Sequence, residues 1–97
     1  MSKLRDEKID FLFKGILTLE NVAECYSFFE DLCTVPELKA LSQRLAVAKM
    51  LSDGMVYSDI VQATGASTAT ISRVNRSLTY GSDGYSIVFG KKDDLEK

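Results

Sequence analysis

Histidine is absent from this 97-residue sequence, and its two cysteines, Cys25 and Cys33, form no CxxC pair. Because structural zinc sites are built mainly from clustered cysteines and histidines, we expect no metal in this protein. On one helix the cysteine spacing corresponds to roughly 12 Å, which is too far for a disulfide. The two thiols are therefore interpreted as small buried apolar groups in a reducing compartment.

The residue patterns of common catalytic sites are missing as well. The sequence contains no glycine-rich phosphate loop and no nucleophile beside a base that could activate it. We therefore expect no catalytic residues and no enzymatic activity.

Long apolar runs are also lacking, although 45% of the residues are hydrophobic. No run approaches the roughly 18 residues that span a bilayer, so no membrane association is expected. The mixed-charge start, residues 1–8, leads into no signal-peptide core, which predicts a cytoplasmic protein. A chain of this length holds one domain at most.

Apolar residues recur at helical spacing in the first third of the chain. They predict one helix over residues 2–17 and a second over residues 19–33, with Thr18 as the N-cap of the second. The aromatic residues of these helices exceed what one small chain can cover: Phe11, Phe13, Tyr26, Phe28 and Phe29. A two-fold homodimer would bury the surplus, and packing under the C-terminal tail is the alternative.

The next helix has a recognisable start. Thr34 and Glu37 have capping-box spacing, and Pro36 lies in the first turn, where its missing N–H does no harm. The pattern predicts a helix to about Ser52, stopped by Gly54, with this inner face: Leu38, Leu41, Leu45, Ala48 and Leu51.

Residues 57–78 are the most informative part of the sequence, because they have the layout of a helix-turn-helix. Gly65 can adopt positive φ and redirect the chain, and Ser67 or Thr68 can cap the second helix. The apolar residues that would form a shared core are Ile60, Ile71, Val74 and Leu78.

The opposite face of the second helix is small, polar and basic. Short side chains let a helix enter the DNA major groove, and arginine can reach guanine edges or phosphates. The residues predicted to contact DNA are Thr68, Thr70, Ser72, Arg73 and Arg76. The alternative is an ordinary αα-hairpin whose serines and threonines are solvated.

The net charge of −2 argues mildly against nucleic acid, but phosphates are contacted by one face only. From Tyr57 to Tyr80 the only acid is Asp59, against Arg73 and Arg76. The predicted DNA face is therefore locally positive, and its modest charge suggests that more than one copy must bind.

The C-terminal part is less informative. Residues 80–84 read as a turn, and residues 85–89 are ambiguous between a strand, a helical turn and a packed arm. We expect a charged, disordered tail from Gly90 onward, which leaves residues 1–90 as a single all-helical domain and 91–97 as its tail.

From Thr34 to Leu78 the sequence resembles the bacterial Trp repressor family, most closely at residues 65–73, GASTATISR. Residues 25–34, CYSFFEDLCT, resemble the YerC/YecD group of Trp-repressor-related proteins. The resemblance covers about residues 5–90. It implies an all-α, intertwined dimer that binds operator DNA through residues 67–73, which adds Ser67 and Ala69 to the DNA-binding set.

The resemblance also implies where a tryptophan corepressor would bind. The matching positions here are Thr34, Arg44, Arg73 and Ser77. Where the family has glycine after the second arginine, this sequence has Val74, whose side chain would occupy the space of the indole ring. We therefore expect no cofactor, with L-tryptophan or another small effector as the alternative.

These observations predict a dimeric, sequence-specific regulator of transcription, a repressor by the resemblance, whose partners are double-stranded DNA and a second copy of the chain. The alternative is a protein-interaction module of the same fold that modulates another regulator without binding DNA.

Overall fold

The computed structural model describes residues 5–90 of the chain. In chain order its helices are α1 (Glu7–Ile16), α2 (Val22–Leu32), α3 (Val35–Ser52), α4 (Tyr57–Thr64), α5 (Thr68–Tyr80) and α6 (Gly84–Phe89). The described residues contain no strand, which confirms the all-α prediction. No helix among them is long and apolar enough to cross a membrane.

Contacts divide the chain into two compact units, Met1–Leu38 and Lys39–Lys97. The first contains α1, α2 and the first turn of α3, and the second contains the rest of α3 with α4, α5 and α6. The interpretation of residues 1–90 as one domain stays a prediction. The expected tail, residues 91–97, lies outside the described residues.

Helix α1 is shorter than predicted because Asp6 caps it. The Asp6 carboxylate accepts a hydrogen bond of 2.8 Å from the backbone N–H of Ile9, and the helix begins at Glu7. Arg5 and Asp6 are therefore not helical, and residues 2–4 of the predicted helix lie outside the described part. At the other end α1 stops at Ile16, with Leu17 as its C-cap.

The prediction of Thr18 as the N-cap of α2 is wrong. Asn21 takes that role, because its side chain accepts from the backbone N–H of Glu24 at 2.9 Å, so α2 begins at Val22. The Thr18 hydroxyl instead donates to the Gly15 carbonyl at 2.7 Å and thereby serves the end of α1. Asparagine caps helices at least as well as threonine, so Asn21 was a local signal that the prediction of Thr18 passed over.

No residue of α1 or α2 is fully buried. Cys25 and Cys33 are free thiols, as expected, but they are only partly buried. Large apolar side chains on these helices are exposed, among them Phe11 at 79%. The first unit therefore leaves an apolar surface uncovered by its own residues.

The capping box at the start of α3 is confirmed. The backbone N–H of Thr34 donates to the Glu37 carboxylate at 2.8 Å, and the Glu37 N–H donates to the Thr34 hydroxyl oxygen at 3.2 Å. Hydrogen bonding of the Glu37 carboxylate to Thr34, by its backbone N–H first and then by its side chain, holds the pKa of Glu37 below its ordinary value. The helix ends at Ser52, and Gly54 follows with a φ of 84°.

The fully buried core lies in the second unit, where α3, α4, α5 and the turn between α4 and α5 supply Val47, Ala48, Ile60, Ala66, Ile71 and Val74. The predicted inner face of α3 is only partly right. Ala48 is buried, but Leu41 and Leu45 are 44% and 39% exposed, while Val47, which the prediction missed, is fully buried. Apolar residues surround much of α3, and its local sequence does not determine which of them meet α4 and α5.

The ambiguous segment after α5 is helical. In α6 the rings of Tyr85 and Phe89 stack with centroids 6.1 Å apart, and both residues pack against the core of the second unit. Asp83 precedes this helix with a φ of 63°.

Candidate nucleic-acid interface

The turn between α4 and α5 is built around Gly65. Its φ of 72° and ψ of 4° lie in the left-handed region, and its N–H donates to the Val61 carbonyl at 2.8 Å. A Cβ at this position would meet no atom within 4 Å, so the backbone conformation alone favours glycine here. The predicted glycine turn is confirmed.

Ser67, rather than Thr68, caps α5. Its Oγ accepts from the backbone N–H of Thr70 at 3.1 Å and its hydroxyl donates to the Thr70 Oγ1 at 3.1 Å. The second helix therefore covers residues 68–80 instead of the predicted 67–78. Its C-cap is Gly81, where an added Cβ would clash with the Ser77 carbonyl oxygen.

The inner side of α5 holds this helix in the core of its unit. Ile71 is fully buried and Val74 is 2% exposed, and they cluster with Ile60 of α4 and with Ala66 of the turn. Leu78 is partly buried against the same cluster. The apolar stripe predicted from the sequence is confirmed, and it fixes which side of α5 faces solvent.

The predicted DNA-binding residues separate into two groups. The following are exposed: Ser67, Thr68, Ala69, Ser72, Arg73 and Arg76. Thr70 differs because it is partly buried and its side chain is bonded to Ser67. Thr70 therefore takes part in the N-terminal cap of α5, and a contact between Thr70 and DNA stays a prediction.

Asn75 is an exposed polar residue of α5 that the sequence interpretation left out. It follows Ser72 by three positions and Thr68 by seven, so the three side chains share one side of the helix. The helical spacing was the signal that could have found it.

No carboxylate in the described residues neutralises the arginines of α5. The one ion pair between residues 5 and 90 joins Lys49 of α3 to Asp53 just after that helix, with Lys49 Nζ 2.7 Å from Asp53 Oδ1. Arg73 and Arg76 are exposed, and their guanidinium groups are therefore available to an anion in solvent.

The four residues at the tryptophan position implied by the resemblance belong to two different units. Thr34 lies in the first unit and its hydroxyl takes part in the capping box. In the second unit Arg44 is partly buried on α3, and Arg73 and Ser77 are exposed one turn apart on α5. Val74 between them is buried in the core, so its side chain fills space instead of leaving an opening. A ligand-binding role for the four residues stays a prediction.

The part of the chain that the structure describes contains no group of three or more histidine, cysteine, aspartate or glutamate residues able to hold a metal ion.

Comparisons with known proteins agree with this architecture. The family model described as Trp repressor protein matches residues 7–93. An uncharacterized protein of Bacillus subtilis (strain 168), YerC, is 50% identical over 96 residues, which are 99% of this chain and 92% of YerC.

Two solved structures are similar over nearly their whole length. A crystal structure of a proposed Trp repressor from Staphylococcus aureus is 57% identical, with a TM-score of 0.89, over 94% of this chain and 91% of that one. The crystal structure of a TrpR-like protein from Eubacterium eligens ATCC 27750 is 56% identical, with a TM-score of 0.90, over 98% of each chain. The chain belongs to the Trp repressor protein family.

Proposed function

We propose that this protein is a cytoplasmic, dimeric regulator of transcription, a repressor, that reads double-stranded DNA with the front of α5. The proposal rests on the contrast in burial between the two sides of this helix. Ile71 and Val74 are buried on one side, while Thr68, Ala69 and Ser72 are exposed on the other.

The chemistry of that exposed side fits the major groove. Alanine, serine and threonine are short, so the helix backbone can approach the base edges closely, directly or through ordered water. Arg73 and Arg76 are exposed further along the helix, where guanidinium groups can bind phosphates in any sequence. The short first helix, the glycine turn and the second helix have the layout of helix-turn-helix proteins, whose second helix enters the major groove.

A dimer is proposed because the first unit leaves large apolar side chains exposed. Its exposed large apolar side chains include Phe11, Phe13, Leu17, Val22 and Tyr26. A second copy would cover these side chains, and large exposed apolar patches are uncommon on monomers. Two-fold symmetry would also present two copies of α5 about 34 Å apart, as successive major grooves require.

The direct test is a selection of binding sites from random duplexes, followed by titration of the selected duplex at about 150 mM salt. We expect a preferred, two-fold symmetric site whose affinity falls as salt rises, because bound phosphates release counterions. No preferred site, with or without added amino acids, would contradict the proposal.

The second candidate is a protein-interaction module that modulates another regulator. The net charge of −2 and the exposed apolar residues of the first unit favour it. A stoichiometric protein partner on purification, combined with absent or salt-insensitive DNA binding, would support this function over the first.

A further inference from the structure

We propose that Gln43 is a positioning residue of the DNA-binding unit, which sets the orientation of the turn between α4 and α5 relative to α3. The inference rests on the proposed function, because orientation of α5 is what a bound duplex would sense. Gln43 itself lies on α3 and was not among the residues predicted to contact DNA.

One hydrogen bond supports this inference. The Gln43 side-chain amide Nε2 donates to the backbone carbonyl of Thr64 at 3.2 Å, in a partly buried position. Every other side-chain hydrogen bond within residues 5–90 joins residues at most four positions apart, whereas this one spans 21 positions. Within residues 5–90 it is therefore the one side-chain hydrogen bond that joins α3 to the helix-turn-helix.

The acceptor, the Thr64 carbonyl, lies at the end of α4 next to the glycine turn. Thr64 is the last residue of α4, and carbonyls at helix ends lack a partner within the helix. The Thr64 hydroxyl donates to the Ile60 carbonyl at 2.7 Å and accepts from the Ala66 N–H at 3.1 Å. Gln43 thus binds the residue that already holds both sides of the glycine turn.

The apolar contacts of this unit cannot replace that bond. Val47, one turn after Gln43, packs in the same cluster as Ile60 and Ile71, but hydrophobic contact is non-directional and permits small rotations. A hydrogen bond weakens steeply when its angle departs from linear, so it restricts rotation of α4 and α5 about the cluster. Loss of the bond should therefore change the geometry of DNA binding more than the burial of the core.

The test compares Gln43→Met with wild type on two probes, the duplex selected by wild type and a random duplex of equal length. Methionine keeps the length of the side chain and removes the donor. We expect the affinity for the selected duplex to fall about three- to tenfold, the effect of one net hydrogen bond. Affinity for the random duplex should stay within about twofold, because phosphate contacts carry no sequence information.

Ser42→Ala is the matched control. The Ser42 hydroxyl donates to the Lys39 carbonyl at 2.9 Å within the same helix, so this variant removes a neighbouring side-chain bond without touching Thr64. Both affinities should be unchanged for this control. Gln43→Glu is the second variant. It retains size and polarity but also lacks the donor, and it should lose discrimination at least as strongly as Gln43→Met.

Amide spectra report on the turn independently of DNA. We expect the Gly65 and Ala66 signals to shift in Gln43→Met, with the core signals of Ile71 and Val74 retained. Unchanged discrimination between the two duplexes would overturn the inference while leaving the proposed function intact. Equal loss on both duplexes together with unfolding would overturn it too, since the role would then be structural. If wild type itself prefers no duplex, the proposed function and the inference fail together.

Discussion

Ser67 and Thr70 exchange two hydrogen bonds at the start of α5, both of 3.1 Å, one through the backbone N–H of Thr70 and one through its hydroxyl. Ser67 therefore has a structural task, capping, in addition to its exposed position on the proposed DNA face. The two tasks make different demands on the side chain, because a cap needs an acceptor and a phosphate repels an anion.

Two substitutions at Ser67 should separate these tasks. Ser67→Ala removes the cap and is expected to lower the free energy of unfolding by about 1 kcal/mol. Ser67→Asp retains a good capping acceptor and should leave stability within about 0.5 kcal/mol of wild type. The same aspartate should weaken DNA binding strongly, because it places a carboxylate against phosphates. Chemical denaturation and duplex titration measure the two effects, and full DNA affinity in Ser67→Asp would mean that this end of α5 does not face DNA.

Arg76→Gln tests phosphate contact. Arg76 is exposed and has no carboxylate partner in the described residues, so we expect its loss to weaken selected and random duplexes alike. The slope of log affinity against log salt should decrease by about one unit. Lys49→Gln is the control, because Lys49 carries the same charge on α3 but is paired with Asp53. A sequence-dependent loss in Arg76→Gln would indicate base contact instead.

Much of the fold and of the candidate interface could be predicted, because it depends on local interactions that the sequence shows. The glycine turn, the capping box at Thr34 and Glu37, and the buried stripe of Ile71 and Val74 depend on residues within a few positions of one another. Features that depend on distant partners could not be predicted. Val47 was missed because α4 and α5 determine which side of α3 is buried.

Gln43 shows the same limit more sharply. A partly exposed glutamine on a helix is indistinguishable in sequence from any solvated one, and its role depends on a carbonyl 21 positions away. The cap of α2 is a different case, since Asn21 is a local signal of the stronger capping type that the prediction of Thr18 passed over.

Phe11 provides a test of the proposed dimer. It is 79% exposed in the first unit, and burial of a phenylalanine stabilises an assembly by about 1.5–3 kcal/mol. Phe11→Gln should therefore shift the protein toward monomer in sedimentation velocity experiments at micromolar concentration. Phe11→Leu, which keeps an apolar side chain, should preserve the wild-type state. If Phe11→Gln associates as wild type does, Phe11 lies outside the contact between copies.

Glu37 should make α3 sensitive to acid. Hydrogen bonds from Thr34, from its backbone N–H first, lower the pKa of Glu37 from the ordinary 4.5. A carboxyl group whose pKa is lowered on folding stabilises the folded state above its unfolded pKa and loses that contribution as pH falls through the folded value. Glu37→Gln keeps an acceptor but does not titrate. The difference in Tm between wild type and Glu37→Gln should therefore shrink as pH falls from about 6 to about 3. A constant difference over that range would contradict the assignment.

Val74 bears on the question of an effector, and we propose that no ligand of the size of tryptophan binds beside it. The side chain is 2% exposed and packs with Val47 and Ile71, so the space is already filled by the protein's own core. Calorimetry of wild type with L-tryptophan should give no saturable heat.

Val74→Ala is the informative variant for the same experiment. Removing two buried carbons should lower the free energy of unfolding by about 1–3 kcal/mol through lost burial and a residual cavity. If the valine alone excludes the ring, this variant should gain weak, saturable heat with L-tryptophan, whereas Arg44→Gln added to it should abolish the gain. Saturable heat in wild type would show that the ligand binds without displacing Val74. It would also support the tryptophan-binding role that the family resemblance implies for Thr34, Arg44, Arg73 and Ser77.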